Sequence, residues 1–183
     1  MTKPSLLERL LIALGVLPFV ILFALLATGM VRTYRNLTGS MDPTSSIGDR
    51  MIAMRTGSVH RGDIIVFDYP LQPGVVFAKR LVAVGGDTVE IRSKQLFVNG
   101  ETVVEPYAVH LDPTIYVASP TLPEPYRSRD HFGPYEVPAG TFFVLGDNRD
   151  RSSDSRYWGV VPGENLRGRV VLLFSLSRGF RRL

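Results

Sequence analysis

From Leu10 to Val31 the chain runs for 22 residues without a charged side chain, and most of them are Leu, Ile, Val, Phe or Ala. Backbone amides among so many apolar groups must be satisfied locally, which favours a helix. At about 1.5 Å per residue the run makes roughly 33 Å of helix, enough to cross a hydrocarbon core of about 30 Å. Gly15 and Pro18 fall inside it, and spanning helices tolerate both. The rival is a cleaved signal peptide, because Ala27-Thr28-Gly29 offers small residues at a plausible cut. Signal h-regions are shorter, typically about 7–15 residues. The expectation is therefore a retained single transmembrane helix at about 10–31, within an N-terminal segment 1–35. Lys3 and Arg9 on one side balance Arg32 and Arg35 on the other, so charge alone does not orient it.

Beyond this run the pattern turns to β. Met51–Met54, Ile64–Phe67, Val75–Val84, Val89–Ile91, Leu96–Val98, Phe142–Leu145 and Val170–Phe174 are short runs rich in β-branched and aromatic residues. Gly, Pro, Asp or Asn separates most of them. Asn99-Gly100 reads as a hairpin turn. The stretch 106–138 holds seven prolines, which predicts an irregular excursion over about 104–138. A chain of 183 residues has room for one such domain. The expected fold is mainly β, an antiparallel, barrel-like domain over 36–183 behind one helix.

Composition removes several chemistries. There is no cysteine, so disulfides, thiolate metal sites and a Cys nucleophile are excluded. The net charge of +4 is spread along the chain rather than gathered on a basic helix, so no nucleic-acid partner is expected. His60, His110 and His131 lack metal-ligand spacing. Asp147, Asp150 and Asp154 miss the EF-hand pattern, with Arg149 and Arg151 where oxygens would be needed. No metal and no cofactor are expected.

Three segments carry more. In Thr38-Gly39-Ser40-Met41-Asp42-Pro43-Thr44 a serine sits on a constrained turn, which can expose Oγ beside free backbone N–H groups. A plain linker turn would read the same way. In Val75–Val82, strand alternation puts Val75, Phe77, Lys79 and Leu81 on one face, with Lys79 the only charge among them. Bringing a lysine from about 10.4 to about 7 requires roughly 4.6 kcal/mol, and burial alone can supply shifts of about 3–5 units. Arg80 opposite cannot serve as a base, because guanidinium does not deprotonate. The alternative buries Val76, Ala78 and Val82 and leaves Lys79 in solvent; periodicity does not choose. The third segment, Gly146–Gly159, is a charged loop holding the chain's one tryptophan, Trp158.

Together, Ser40–Asp49, Arg61–Phe67, Lys79–Asp87 and Gly146–Gly159 (G-D-N-R-D-R-S-S-D-S-R-Y-W-G) resemble, in order, the motifs of bacterial type I signal peptidase. The resemblance covers residues 36–175. It implies Ser40 as nucleophile, Lys79 as general base, Ser152 as the hydroxyl orienting the lysine amine, and Thr38 with the Ser40 amide as oxyanion donors. Asp154 and Arg156 match a supporting pair, and Met41, Ser45, Phe77 and Ala78 fall where substrate would bind. Thr38 stands where some members carry serine, Ser45 where leucine is usual, and Gly85 where proline is common. The implied function is removal of signal peptides from exported preproteins after small residues, of A-x-A type, through an acyl-enzyme. The implied partners are preproteins and the lipid bilayer, with a single-pass protein in the plasma membrane and its β domain outside the cytoplasm.

Two other classes compete. Self-cleaving Ser–Lys regulators of the SOS-repressor type share the dyad, but carry a DNA-binding domain and an upstream Ala-Gly or Cys-Gly bond that this chain lacks. An inert membrane-tethered β module would need neither Ser40 nor Lys79. The basic tail at Arg178, Arg181 and Arg182 reads as a solvated terminus. The sequon Asn36-Leu37-Thr38 is discounted because it overlaps the oxyanion position.

Overall fold

The computed structural model describes residues 5–117, 119, 121 and 126–183, without the side chains at 7–11, 13, 22 and 126. A 22-residue helix, α1 (Leu6–Ala27), leads the chain. It ends before the expected limit, because Thr28-Gly29 turns the chain, with Gly29 at φ 70°, and Val31 enters a strand. Leu14, Phe19 and Phe23 on α1 are exposed. Among the described residues no helix is long and apolar enough to cross a membrane; several α1 side chains lie outside that set.

Twelve strands and two short helices follow among the described residues. They are β1 (Val31–Arg35), β2 (Arg50–Met54), β3 (Ile64–Asp68), β4 (Val76–Val84), β5 (Thr88–Arg92), β6 (Gln95–Val98) and β7 (Glu101–Thr102). After them come α2 (Tyr126–Arg129), β8 (Phe132–Glu136), β9 (Thr141–Leu145), α3 (Ser155–Trp158), β10 (Val161–Pro162), β11 (Leu166–Ser175) and β12 (Gly179–Arg182). One sheet runs β1-β2-β11-β3-β4-β9-β10, with β12 added on β11; a smaller one runs β7-β6-β5-β8. The strand pairs within both are antiparallel. The large sheet is a path with two ends, β1 and β10, so it curls without closing into a barrel. Because β1 pairs with β2 from Val31 to Arg35, the β fold begins before the expected boundary at residue 36.

Strand β4 lies between β3 and β9, and apolar groups cover both its faces. Val76 and Ala78 pack on a cluster holding Met41, Met51 and Val66. Phe77 joins another with Ile65, Phe67, Leu81 and Val144. Both alternation readings of this segment therefore describe half of it: the strand has no solvent face around Lys79. Each fully buried side chain such as Ile65 or Phe67 is worth about 1.5–3 kcal/mol, which fixes the register Ile65↔Lys79. A third cluster, with Val89, Ile91, Leu96 and Phe143, joins the two sheets.

The hairpin turn at Asn99-Gly100 forms, both residues at positive φ. The 104–138 excursion is not wholly irregular. It carries α2 and β8, and Val109 bridges to Asn148. Arg129 ties it together by pairing with Asp112 and Asp130.

Candidate active site

Ser40 sits in a 3-10 turn, Gly39–Met41, that interrupts the path from β1 to β2. The turn is held from below by Met41, which is 1% exposed in the core beside Met51. From the other side, Asn148 N–H donates to the Ser40 carbonyl at 3.0 Å. Met41 is therefore an anchor for the turn and not a groove residue, a correction that follows from its burial.

Lys79 comes from the middle of β4, and its Nζ lies 2.6 Å from Ser40 Oγ. The residue is 4% exposed, and Nζ stands 5.5 Å from the centre of the Phe77 ring, two positions back on the same strand face. Loss of water lowers its pKa from 10.5 to about 8; the Asp154 carboxylate opposes that fall, Arg156 assists it, and Asp147 opposes it weakly. The fall is limited because the Asp154 and Asp147 carboxylates stabilise the ammonium. Thr38 Oγ1 lies 3.0 Å from Ser40 Oγ, and both residues line a common groove.

The loop after β9 supplies the rest. Asp154, fully buried, accepts from Arg156 Nε at 2.8 Å and Nη2 at 2.9 Å, and from Gly146 N–H at 3.1 Å. Arg156 in turn donates to the carbonyls of Arg129 and Arg149. Removing either partner would strand a buried charge, at a cost of about 3–5 kcal/mol. A Cβ on Gly146 would stand 2.2 Å from Ser152 Oγ and 2.6 Å from the Ser40 carbonyl oxygen, so glycine is required by close approach. Ser152 thus lies in the same cluster, buried, yet its Oγ makes no hydrogen bond, with Lys79 or any other described group.

Other site residues escaped the sequence reading. Asn36, buried, donates through Nδ2 to the carbonyls of Ser45 and Ser46 and accepts the Thr38 N–H through Oδ1. The sequon nitrogen is therefore engaged in shaping the Ser40 loop. Ser45 is wholly buried on Asn36 and not open to substrate, which explains how a small polar residue fits there. Arg80 forks onto Asp147, Nε at 3.0 Å and Nη2 at 2.5 Å, while Thr44 Oγ1 donates to the same carboxylate. Arg149, 1% exposed, forks onto Glu105. An arginine two to four places from an acid in a charged loop was the available signal, but the partners are 44 to 67 residues away.

A groove of about 840 Å³ opens on Ser40 and Lys79. Thr33–Leu37 line one bank, Gly74–Ala78 the other, and Arg151 and Ser153 also border it. The curl of the large sheet brings β1 and the start of β4 to the same cleft. Of the expected substrate residues, Phe77 and Ala78 line it. Among the described residues no cluster of His, Cys, Asp and Glu could hold a metal.

The chain matches the family model described as signal peptidase, peptidase S26, over residues 9–175. It is 33% identical over 209 residues to signal peptidase I of Pseudomonas fluorescens, covering 91% of this chain and 73% of that one. It is 36% identical over 140 residues to signal peptidase I of Bacillus licheniformis, covering 74% and 72%. A crystal structure of a signal peptidase I from Enterococcus faecalis V583 is 34% identical and covers 62% of this chain and 97% of that one, with a TM-score of 0.47. The family match takes in Ser40, Lys79 and the Gly146–Gly159 loop alike, and on it this chain belongs to the signal peptidase family, peptidase S26.

Proposed function

We propose that this protein is a serine endopeptidase that removes N-terminal signal peptides from exported preproteins, with Ser40 as nucleophile and Lys79 as general base. The observation that carries this is the 2.6 Å approach of a buried lysine amine to Ser40 Oγ at the mouth of a groove. As a neutral amine, Lys79 takes the Oγ proton while Oγ attacks the scissile carbonyl. The ammonium then protonates the departing amine, which becomes the mature N-terminus, and the signal peptide remains esterified to Ser40. Water, deprotonated by Lys79, releases it. The Thr38 hydroxyl and the Ser40 amide supply the oxyanion site, each worth about 2.7–4 kcal/mol in comparable enzymes. Ser152, buried against Gly146 with an unpaired Oγ, takes the role of orienting the amine once substrate is bound. Asp154 and Arg156 hold the loop and set the field around it.

Substrate lies extended between the β1 edge and the start of β4, where alternate side chains are read. Ala78 and Phe77 bound the positions that select small residues of A-x-A type. We further read α1 as a single-pass anchor in the plasma membrane, with the β domain (36–183 together with β1) outside the cytoplasm. Support comes from the uncharged stretch of α1 from Leu10 to Ala27, whose described side chains are mostly apolar and exposed and have no aqueous reason to be so. Ser40 follows Ala27 by only 13 positions, which keeps the site near the lipid surface where a signal peptide ends.

The test is cleavage of a purified preprotein by the full chain in detergent, with the new N-terminus sequenced. A cut after the A-x-A segment is expected, and its loss when the final Ala becomes a bulky residue. No cleavage of preprotein alongside rapid self-cleavage would favour the self-processing regulator instead.

A further inference from the structure

The family match ends at residue 175, yet the chain continues into an ordered element that touches the nucleophile loop. Residues 176–178 turn, and β12 pairs back along β11, Ser175↔Gly179 through Leu172↔Arg182. Phe180 packs on Phe174, 4.7 Å between ring centres. This return delivers two arginines to the segment just after Ser40. Arg178 Nη1 donates to the Pro43 carbonyl at 2.8 Å, and its Nη2 to Ser46 Oγ at 3.0 Å and Asp49 Oδ2 at 2.9 Å. Arg181 Nη2 donates to the Thr44 carbonyl at 2.7 Å and lies 3.8 Å from Asp49. The basic tail is thus engaged, contrary to the solvated terminus expected from sequence.

The loop these arginines grip carries consequence for Ser40. Asp49, nearly buried, receives Ser46 N–H as well as Arg178. Thr44 is held on the opposite side by Asp147, the partner of Arg80 next to Lys79. Pro43 and Thr44 are therefore fixed between the C-terminal return and the lysine strand, three and four residues beyond the nucleophile. Because guanidinium presents its donors in a rigid planar fork, Arg178 holds the Pro43 carbonyl, the Ser46 hydroxyl and the Asp49 carboxylate in one fixed geometry, whereas an ammonium gathers its three donors on a single atom.

We propose that Arg178 and Arg181 are positioning residues for Ser40, with β12 acting as a clasp that sets the distance from Oγ to the Lys79 amine. This rests on the reading of Ser40 as nucleophile. Neither arginine touches the groove, so their effect passes through the 43–49 loop to the geometry of attack. Small misplacement of reacting groups lowers turnover steeply.

The experiment compares the full chain with Arg178→Ala/Arg181→Ala and with Arg178→Lys, in detergent, on one preprotein. The double variant is expected to lose about tenfold or more in kcat with KM within about twofold and with an unchanged pH profile, at a temperature where it stays folded. Its melting temperature should fall, because buried Asp49 loses both cationic partners. Amide hydrogen exchange should quicken at residues 44–49 and stay unchanged in β4. Arg178→Lys should recover part of kcat, keeping the charge but not the fork. Unchanged kcat, or a loss that merely tracks the unfolded fraction, would overturn the clasp. If the wild type itself does not cleave preprotein, the functional reading fails, and the exchange measurement still decides whether the clasp orders the loop.

Discussion

Lys79 Nζ reaches Ser40 Oγ at 2.6 Å although the two residues are 39 positions apart. One comes from a central strand and the other from a turn at the sheet's far edge. The sheet's curl closes that gap, and burial of the lysine makes the contact chemically useful. In water an ammonium at this distance would only donate to the hydroxyl. At a pKa of about 8, about a tenth of the molecules carry the free amine at pH 7.

That value sets a pH profile. Activity should rise tenfold per unit through the acidic range and level off above about pH 8, so that about 1% of the plateau remains at pH 6. Initial rates of preprotein cleavage from pH 5 to 10, with folding monitored in parallel, check this. A profile flat down to pH 5 would remove Lys79 as the base.

The same burial has a cost in stability. The folded-state pKa of about 8 lies below the ordinary 10.5, so the unfolded chain binds more protons between those two values. Stability contributed through this group therefore rises with pH across that window and is at its lowest below about pH 8. The penalty near neutrality is about 3 kcal/mol. Lys79→Met should abolish cleavage yet raise the melting temperature by several degrees at pH 7, with the difference shrinking toward pH 10.

Gly146 is predicted to be sensitive as well, though less so than the dyad. A methyl there meets Ser152 and the Ser40 carbonyl oxygen well inside contact distance. Gly146→Ala should cost about 1–3 kcal/mol from overpacking and lower kcat by about a hundredfold through displacement of Ser40. Denaturant melts and steady-state kinetics on the same preparation separate the two effects.

Local signals were legible where chemistry is local. Asn99-Gly100 announces its hairpin because both residues accept positive φ. The equally tight turn at Ser93-Lys94, also at positive φ, has no such signature. The face of Lys79 was undecidable from alternation because β4 is covered on both sides, and neighbours from β3, β9 and the Ser40 turn decide its environment. Met41 and Ser45 show the converse: the family resemblance suggested substrate contact, but the turn needs an apolar anchor and a buried hydroxyl at those places. The arginine pairs Arg80–Asp147, Arg149–Glu105 and Arg178–Asp49 join residues 44 to 129 positions apart, distances at which a single sequence carries no pairing signal.

The central claim is that Ser40 and Lys79 form the reacting pair. Its most direct test is the initial rate of preprotein cleavage at pH 8.5 by wild type, Ser40→Ala and Lys79→Ala, each verified as folded. Wild type should process the preprotein, and each variant should fall by about a thousandfold or more. Processing by either folded variant at the wild-type rate would contradict the account.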